Sequence, residues 1–151
     1  MAYAETTTVP VIKTRAEIEG MLRARKCDQF MVFSDHENFR ASVQFKTNNR
    51  VVRFTIALPN PEDQKFTHID RWRRRAASAA QKMVEQAERQ RWRALLLVIK
   101  AKLESVDSNI ATFEQEFLAN IVLPNDMTVG EIVIPKIEEA YAGRPLLEAH
   151  H

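Results

Sequence analysis

Side chains able to do chemistry are few in this chain, and they are scattered. Asp35, His36 and Glu37 stand together in "SDHEN" at 34–38. These types ligate metals, but adjacent positions in a turn do not converge on one ion, and no second cluster has ligand spacing. Asp63, His68 and Asp70 in "DQKFTHID" read as groups of a solvated loop. Cys27 has no histidine at a spacing that suggests a Cys–His pair. Glu114/Glu116 and Glu138/Glu139 read as solvated helix faces, and the three glycines form neither a phosphate loop nor a dinucleotide fingerprint. The expectation is a non-enzymatic chain with no catalytic residue, metal or cofactor.

Charge is the more informative chemistry. The net charge is only +2, but residues 71–102 carry ten Lys/Arg against two Glu, and residues 103–142 carry eight acids against one Lys. Such polarity implies an anionic partner for the basic part, or a basic helix against an acidic one. On a helix turning 100° per residue, Arg71, Arg75, Lys82, Arg89, Arg93 and Lys100 fall within a 40° stripe about 44 Å long. A solvated face is the plainer reading of any charged stripe. Such faces normally mix signs, however, and like charges at i,i+4 repel. Arginine predominates, which suits bidentate contacts with phosphate or carboxylate. The candidate nucleic-acid-binding residues are therefore Arg71, Arg74, Arg75, Lys82, Arg89, Arg93 and Lys100, with Arg53 on the sheet. Trp72 and Phe66 are candidates for stacking bases.

The tripeptide RWR occurs at 71–73 and again at 91–93, but it is not a duplicated module. On the same helix Trp72 falls at 100° and Trp92 at 300°. Trp92 begins an apolar series of heptad spacing with Leu96, Ile99, Leu103, Val106, Ile110, Phe113 and Phe117, a candidate seam for self-association. If the chain reverses near Ser105–Asn109, the acidic segment can fold back on the stripe, and the nucleic-acid reading loses its basis.

The elements that must position these residues follow from periodicity. "TRAE" at 14–17 matches a capping box, predicting a helix over 15–26 with Thr14 as its cap. Apolar residues then recur every second position in "FRASVQF" and "RVVRFTIAL", around the turn residues Asn48 and Asn49. With "DQFMVFSD" at 28–35 they make a three-stranded antiparallel meander whose outer face shows Arg40, Lys46 and Arg53. From Gln64 to Leu123 there is neither Pro nor Gly, which calls for one or two long helices packed on the sheet. The face expected to pack is Ala76, Ala80, Met83, Ala87, Ala94, Val98 and Ala101. A last helix over 128–142 ends near Gly143. The fold class is α+β.

A length of 151 residues fits one domain, expected over 10–142 with flexible tails at 1–9 and 143–151. One cysteine cannot form an intramolecular disulfide, which suits a reducing compartment. No apolar run approaches the ~18 residues of a membrane span, and "MAYAETTTVP" lacks the pattern of a secretory signal. His150 and His151 are assigned no function.

The segments "TRAEIEGMLR", "QFKTNNRVVRFTIALPNP" and "RQRWRALLLVIKAKLESVDSNIATFEQEFLANIVLPNDMTVGE" resemble, in content and order, a family of small bacteriophage and prophage proteins. The resemblance covers most of residues 10–142. It implies a phage product acting in the bacterial cytoplasm and carries over no functional residue. The β-β-β-α order is also similar to the core of single-strand-annealing recombination proteins, an analogy of architecture without a shared motif. Two expectations follow. One is a nucleic-acid-binding protein of the single-strand-binding or annealing kind. The other is an interaction protein, either a homo-oligomer or an inhibitor or adaptor of a host or phage enzyme. Neither involves a membrane.

Overall fold

A computed structural model describes residues 4–145. The first helix, α1 (Val11–Ala24), begins directly after Pro10, four residues before the predicted start. Thr14 is therefore not its cap. Its amide donates to the Pro10 carbonyl at 3.1 Å, and its side chain is buried on the face that carries Ile18 and Leu22. Glu17, freed from a capping role, pairs across to Arg93.

Strands β1 (Gln29–Asp35), β2 (Arg40–Thr47) and β3 (Arg50–Ala57) form the expected meander. Asn48 and Asn49 take φ values of +50° and +62° and make the two-residue turn between β2 and β3. Asparagine tolerates this left-handed region better than most residues. The inner face carries Ala41, Val43, Phe45, Val52 and Phe54, all buried. The outer rows set Met31, Gln44 and Arg53 side by side, and Phe33, Ser42 and Thr55 likewise. A fourth strand, β4 (Ile121–Val122), pairs with Val51 and Val52 of β3 and was not anticipated from sequence.

The Gly- and Pro-free stretch is not one continuous helix. It divides into α2 (Gln64–Thr67), an extended and turned segment over 68–76, the long α3 (Ala77–Asp107), and the short α4 (Phe113–Phe117). The chain reverses after Asp107, where Asn109 has φ +58°, and α4 restarts on a capping box formed by Thr112 and Gln115. The C-terminal α5 (Val129–Tyr141) opens on a second capping box, Thr128 with Glu131. Gly143 follows it at φ +93°, the left-handed conformation in which glycine carries no steric penalty.

The long helix presents a different face to the sheet from the alanine face predicted. Val84, Trp92, Leu95, Leu96, Ile99 and Leu103 are buried, whereas Ala94, Val98 and Ala101 are exposed. Burying a Leu or Ile side chain gains about 1.5–3 kcal/mol, several times the gain from an alanine methyl, so the larger series takes the core. Four of its members, Trp92, Leu96, Ile99 and Leu103, belong to the heptad seam. Trp92, Leu96, Ile99, Leu103 and Phe117 all lie within 5% of full burial inside the single chain. Phe113 packs half-buried beside them, and Ile110 is left 80% exposed at the reversal. Six of these seven residues belong to the core, and only Ile110 is left outside it, so the series is not a free surface for a second copy. Phe117 meets Phe45 and Phe54 edge-on, each with centroids 6.1 Å apart, and so ties α4 to the sheet.

Residues 4–9, expected in a tail, lie against α3: Ala4 is buried, and Gln86 donates to the carbonyls of Glu5 and Thr7. The remainder of the expected tails, residues 1–3 and 146–151 with His150 and His151, lies outside the described residues. Among the described residues no helix is long and apolar enough to cross a membrane.

Candidate nucleic-acid interface

The segment between α2 and α3 is built as a small closed turn. Asp63 caps α2 by accepting from the Lys65 amide, and His68 then turns extended. His68 and Arg74 form an antiparallel bridge, the Ile69 amide donates to the Arg73 carbonyl at 2.9 Å, and the Arg75 amide donates to Thr67 at 2.7 Å. At the apex Asp70 Oδ1 accepts from the amides of Trp72 and Arg73, both at 2.9 Å, while Oδ2 accepts from Arg73 Nε at 2.7 Å. The Trp72 amide and then the Arg73 side chain hold the Asp70 carboxyl below its ordinary pKa. A helix over 71–76 capped by Asp70 would keep these side-chain bonds but would break the backbone bonds of Ile69 to Arg73 and of Arg75 to Thr67. Those backbone bonds hold 71–75 in the turn, and the helix predicted to include Arg71 and Arg75 begins only at Ala77.

The four arginines of the turn have different duties. Arg73 is held by Asp70. Arg75 donates from Nε to the Phe66 carbonyl and from a terminal nitrogen to the His68 carbonyl, fastening the base of the turn. Arg71 lies over the Trp72 ring, 5.2 Å from its centroid. Arg74 is exposed with no acid in ion-pair range among the described residues, and it borders a groove of about 270 Å³ with Thr67, Arg75 and Gln81. Trp72 itself is 83% exposed, while Trp92, its counterpart in the second RWR, is 1% exposed. Phe66, the other proposed stacking aromatic, is buried and unavailable to a base.

The remaining candidates do not line up as one stripe. Arg89 donates twice to Gln86 Oε1, the side chain that holds residues 5 and 7, and Arg93 pairs with Glu17 at 2.9 Å to join α3 to α1. Arg53 is spent on Asp126 at 2.6 Å and on Gln44. Lys82 and Lys100 are exposed on α3, with no acid in ion-pair range among the described residues. They lie about 27 Å apart along the axis. Lys82 is less than two turns from the helix start and therefore belongs with the turn. Lys100 does not.

The chain reverses after Asp107, one of the two alternatives the sequence leaves open, but the acidic segment neutralises other bases. Asp107 pairs with Arg25 at 2.7 Å, Glu114 with Arg50 at 2.9 Å, Glu116 with Lys102 at 3.4 Å and Asp126 with Arg53. None of the six stripe cations is reached. What the structure assembles is thus compact: Trp72, Arg71 and Arg74 on a hydrogen-bonded turn, with Lys82 on the second turn of the helix that follows. Asp70 was the residue missed as an organiser. The available signal was an aspartate two and three positions before amides that a helix would leave unpaired at its first turn. Elsewhere Asp35 is engaged by Asn38 first and also by the Glu37 amide and Arg40, which lower its pKa and close the turn between β1 and β2.

No family model, curated protein or solved structure matches the chain.

Proposed function

We propose that this protein binds single-stranded nucleic acid through the turn at 69–75, as a phage product acting in the bacterial cytoplasm. The observation that carries the reading is Trp72, a large aromatic held open to solvent by a hydrogen-bonded turn, with two nearby arginines, Arg71 and Arg74, not engaged by acids among the described residues. Stacking on an exposed aromatic needs an unpaired base, which favours single strands, and Arg71 and Arg74 then meet the adjoining phosphates. The test is a titration with single-stranded and duplex oligonucleotides, followed by tryptophan emission. Trp72 should be quenched by the single strand, with affinity falling steeply as salt rises. No change in emission with any oligonucleotide at about 50 mM salt refutes the reading.

A second reading, an adaptor or inhibitor of another protein, is favoured by Ile134, Ile137 and Tyr141, exposed in line on α5. Trp and Arg are also the residues that dominate protein–protein contacts. Under that reading Trp72 is indifferent to oligonucleotides.

A further inference from the structure

The sheet ends in a two-residue strand at one edge and in a seven-residue strand at the other. β4 is two residues long, and Val122 makes a further bridge to Thr128. β1 pairs with β2 through all seven of its residues in continuous register, and among the described residues no strand lies along its other side. Edge strands are normally blunted by lysine, proline or a bulge. "QFMVFSD" has none of these, and its single charge is the terminal Asp35. Its apolar residues are incompletely covered on both faces: Met31 and Phe33 are 53% and 57% exposed outside, and Phe30 and Val32, packed against the core inside, are only half-buried.

The geometry points to this edge as the place where a second copy of the chain pairs, β1 against β1, antiparallel about a two-fold axis. The two four-stranded sheets then become one of eight. The strand's own sequence identifies the occupant. Inner and outer faces match only if paired residue numbers are both even or both odd. Centring the pairing on Val32 satisfies this and uses all seven residues. Val32 then faces its own copy, Met31 faces Phe33, Phe30 faces Ser34, and Gln29 faces Asp35. No like charges meet, and the two exposed apolar residues of the outer face cover one another twice. The apolar series of α3 is consumed in the core, so this edge replaces it as the route to self-association. The inference is independent of nucleic-acid binding.

Sedimentation equilibrium without nucleic acid tests it, with circular dichroism confirming that each variant is folded. The wild-type chain should sediment at twice its 17.4 kDa mass. A monomer up to about 100 μM overturns the proposal. Met31→Lys with Phe33→Lys, both at exposed positions, sets lysine opposite lysine twice and should weaken the dimer about tenfold or more. Unchanged affinity overturns it. Met31→Lys with Phe33→Glu sets lysine opposite glutamate in the Val32-centred register and should keep the dimer; its loss overturns that register. Ile134→Lys with Ile137→Lys should leave the mass unchanged, and dissociation there would transfer the contact to α5.

Discussion

Truncating the aromatic and cationic parts of the 69–75 turn separately gives a quantitative check on what that turn does. Removing one base–aromatic stack costs about 1–3 kcal/mol, so Trp72→Ala should weaken a single-stranded oligonucleotide about 5- to 150-fold while leaving the salt dependence unchanged. Among the described residues, Arg71 and Arg74 are the two arginines of the turn not engaged by acids or carbonyls. Each phosphate neutralised on a single strand contributes about 0.7 to the slope of log K against log salt. Arg71→Ala with Arg74→Ala should therefore lower that slope by about 1.4. Arg89→Gln with Arg93→Gln should leave it alone, because those guanidinium groups already serve Gln86 and Glu17. Affinities measured by fluorescence anisotropy with an end-labelled oligonucleotide, at four salt concentrations, separate the two sets. If the Arg89/Arg93 pair lowers the slope as much as Arg71/Arg74, or if Arg71/Arg74 leaves it unchanged, binding through the turn is wrong and an extended helix stripe is restored.

Other consequences concern stability and pH. Thr14 Oγ1 is buried and has no hydrogen-bond partner among the described residues, so Thr14→Val should raise stability by about 1 kcal/mol, a few degrees in Tm by calorimetry; a lower Tm contradicts the structure. Two glycines should respond with opposite signs. A Cβ on Gly130 would sit 2.9 Å from the Ala119 carbonyl oxygen, a backbone atom, so Gly130→Ala should cost about 1–3 kcal/mol. A Cβ on Gly20 meets nothing within 4 Å, so Gly20→Ala in mid-helix should gain about 0.5–1 kcal/mol in urea denaturation. The Asp70 carboxyl titrates below its ordinary value of 3.8, so its contribution to the turn is complete above that pH and is lost as pH falls through the lower folded value. Trp72 emission should show that acid transition, and Asp70→Asn should abolish it.

The parts of this fold legible in the sequence are those whose signal is local and repeated. The meander follows from strict alternation in β2 and β3 and from two asparagines able to take positive φ. The two-residue β4 carries no period at all, and only its pairing with Val51 and Val52 makes it a strand. The segment 71–76 shows the harder limit. "RWRRRA" has good intrinsic helix propensity, a few tenths of a kcal/mol per residue, and six residues together gain little more than 1 kcal/mol from it. The bridge from His68 to Arg74 and the backbone bonds around it outweigh that sum, yet they arise from a geometry in which Thr67 and Arg75 return to each other. The consequence is functional. In a continuous helix the side chain at 72 would be one of a row, its neighbours three and four residues away competing for the same solvent. In the turn it stands apart with Arg71 against its face. The second RWR, in a true helix, has its tryptophan drawn into the core and its last arginine tied to Glu17. One tripeptide thus acquires two roles because the backbone beneath it differs, and only the first exposes a ring that a base could stack on.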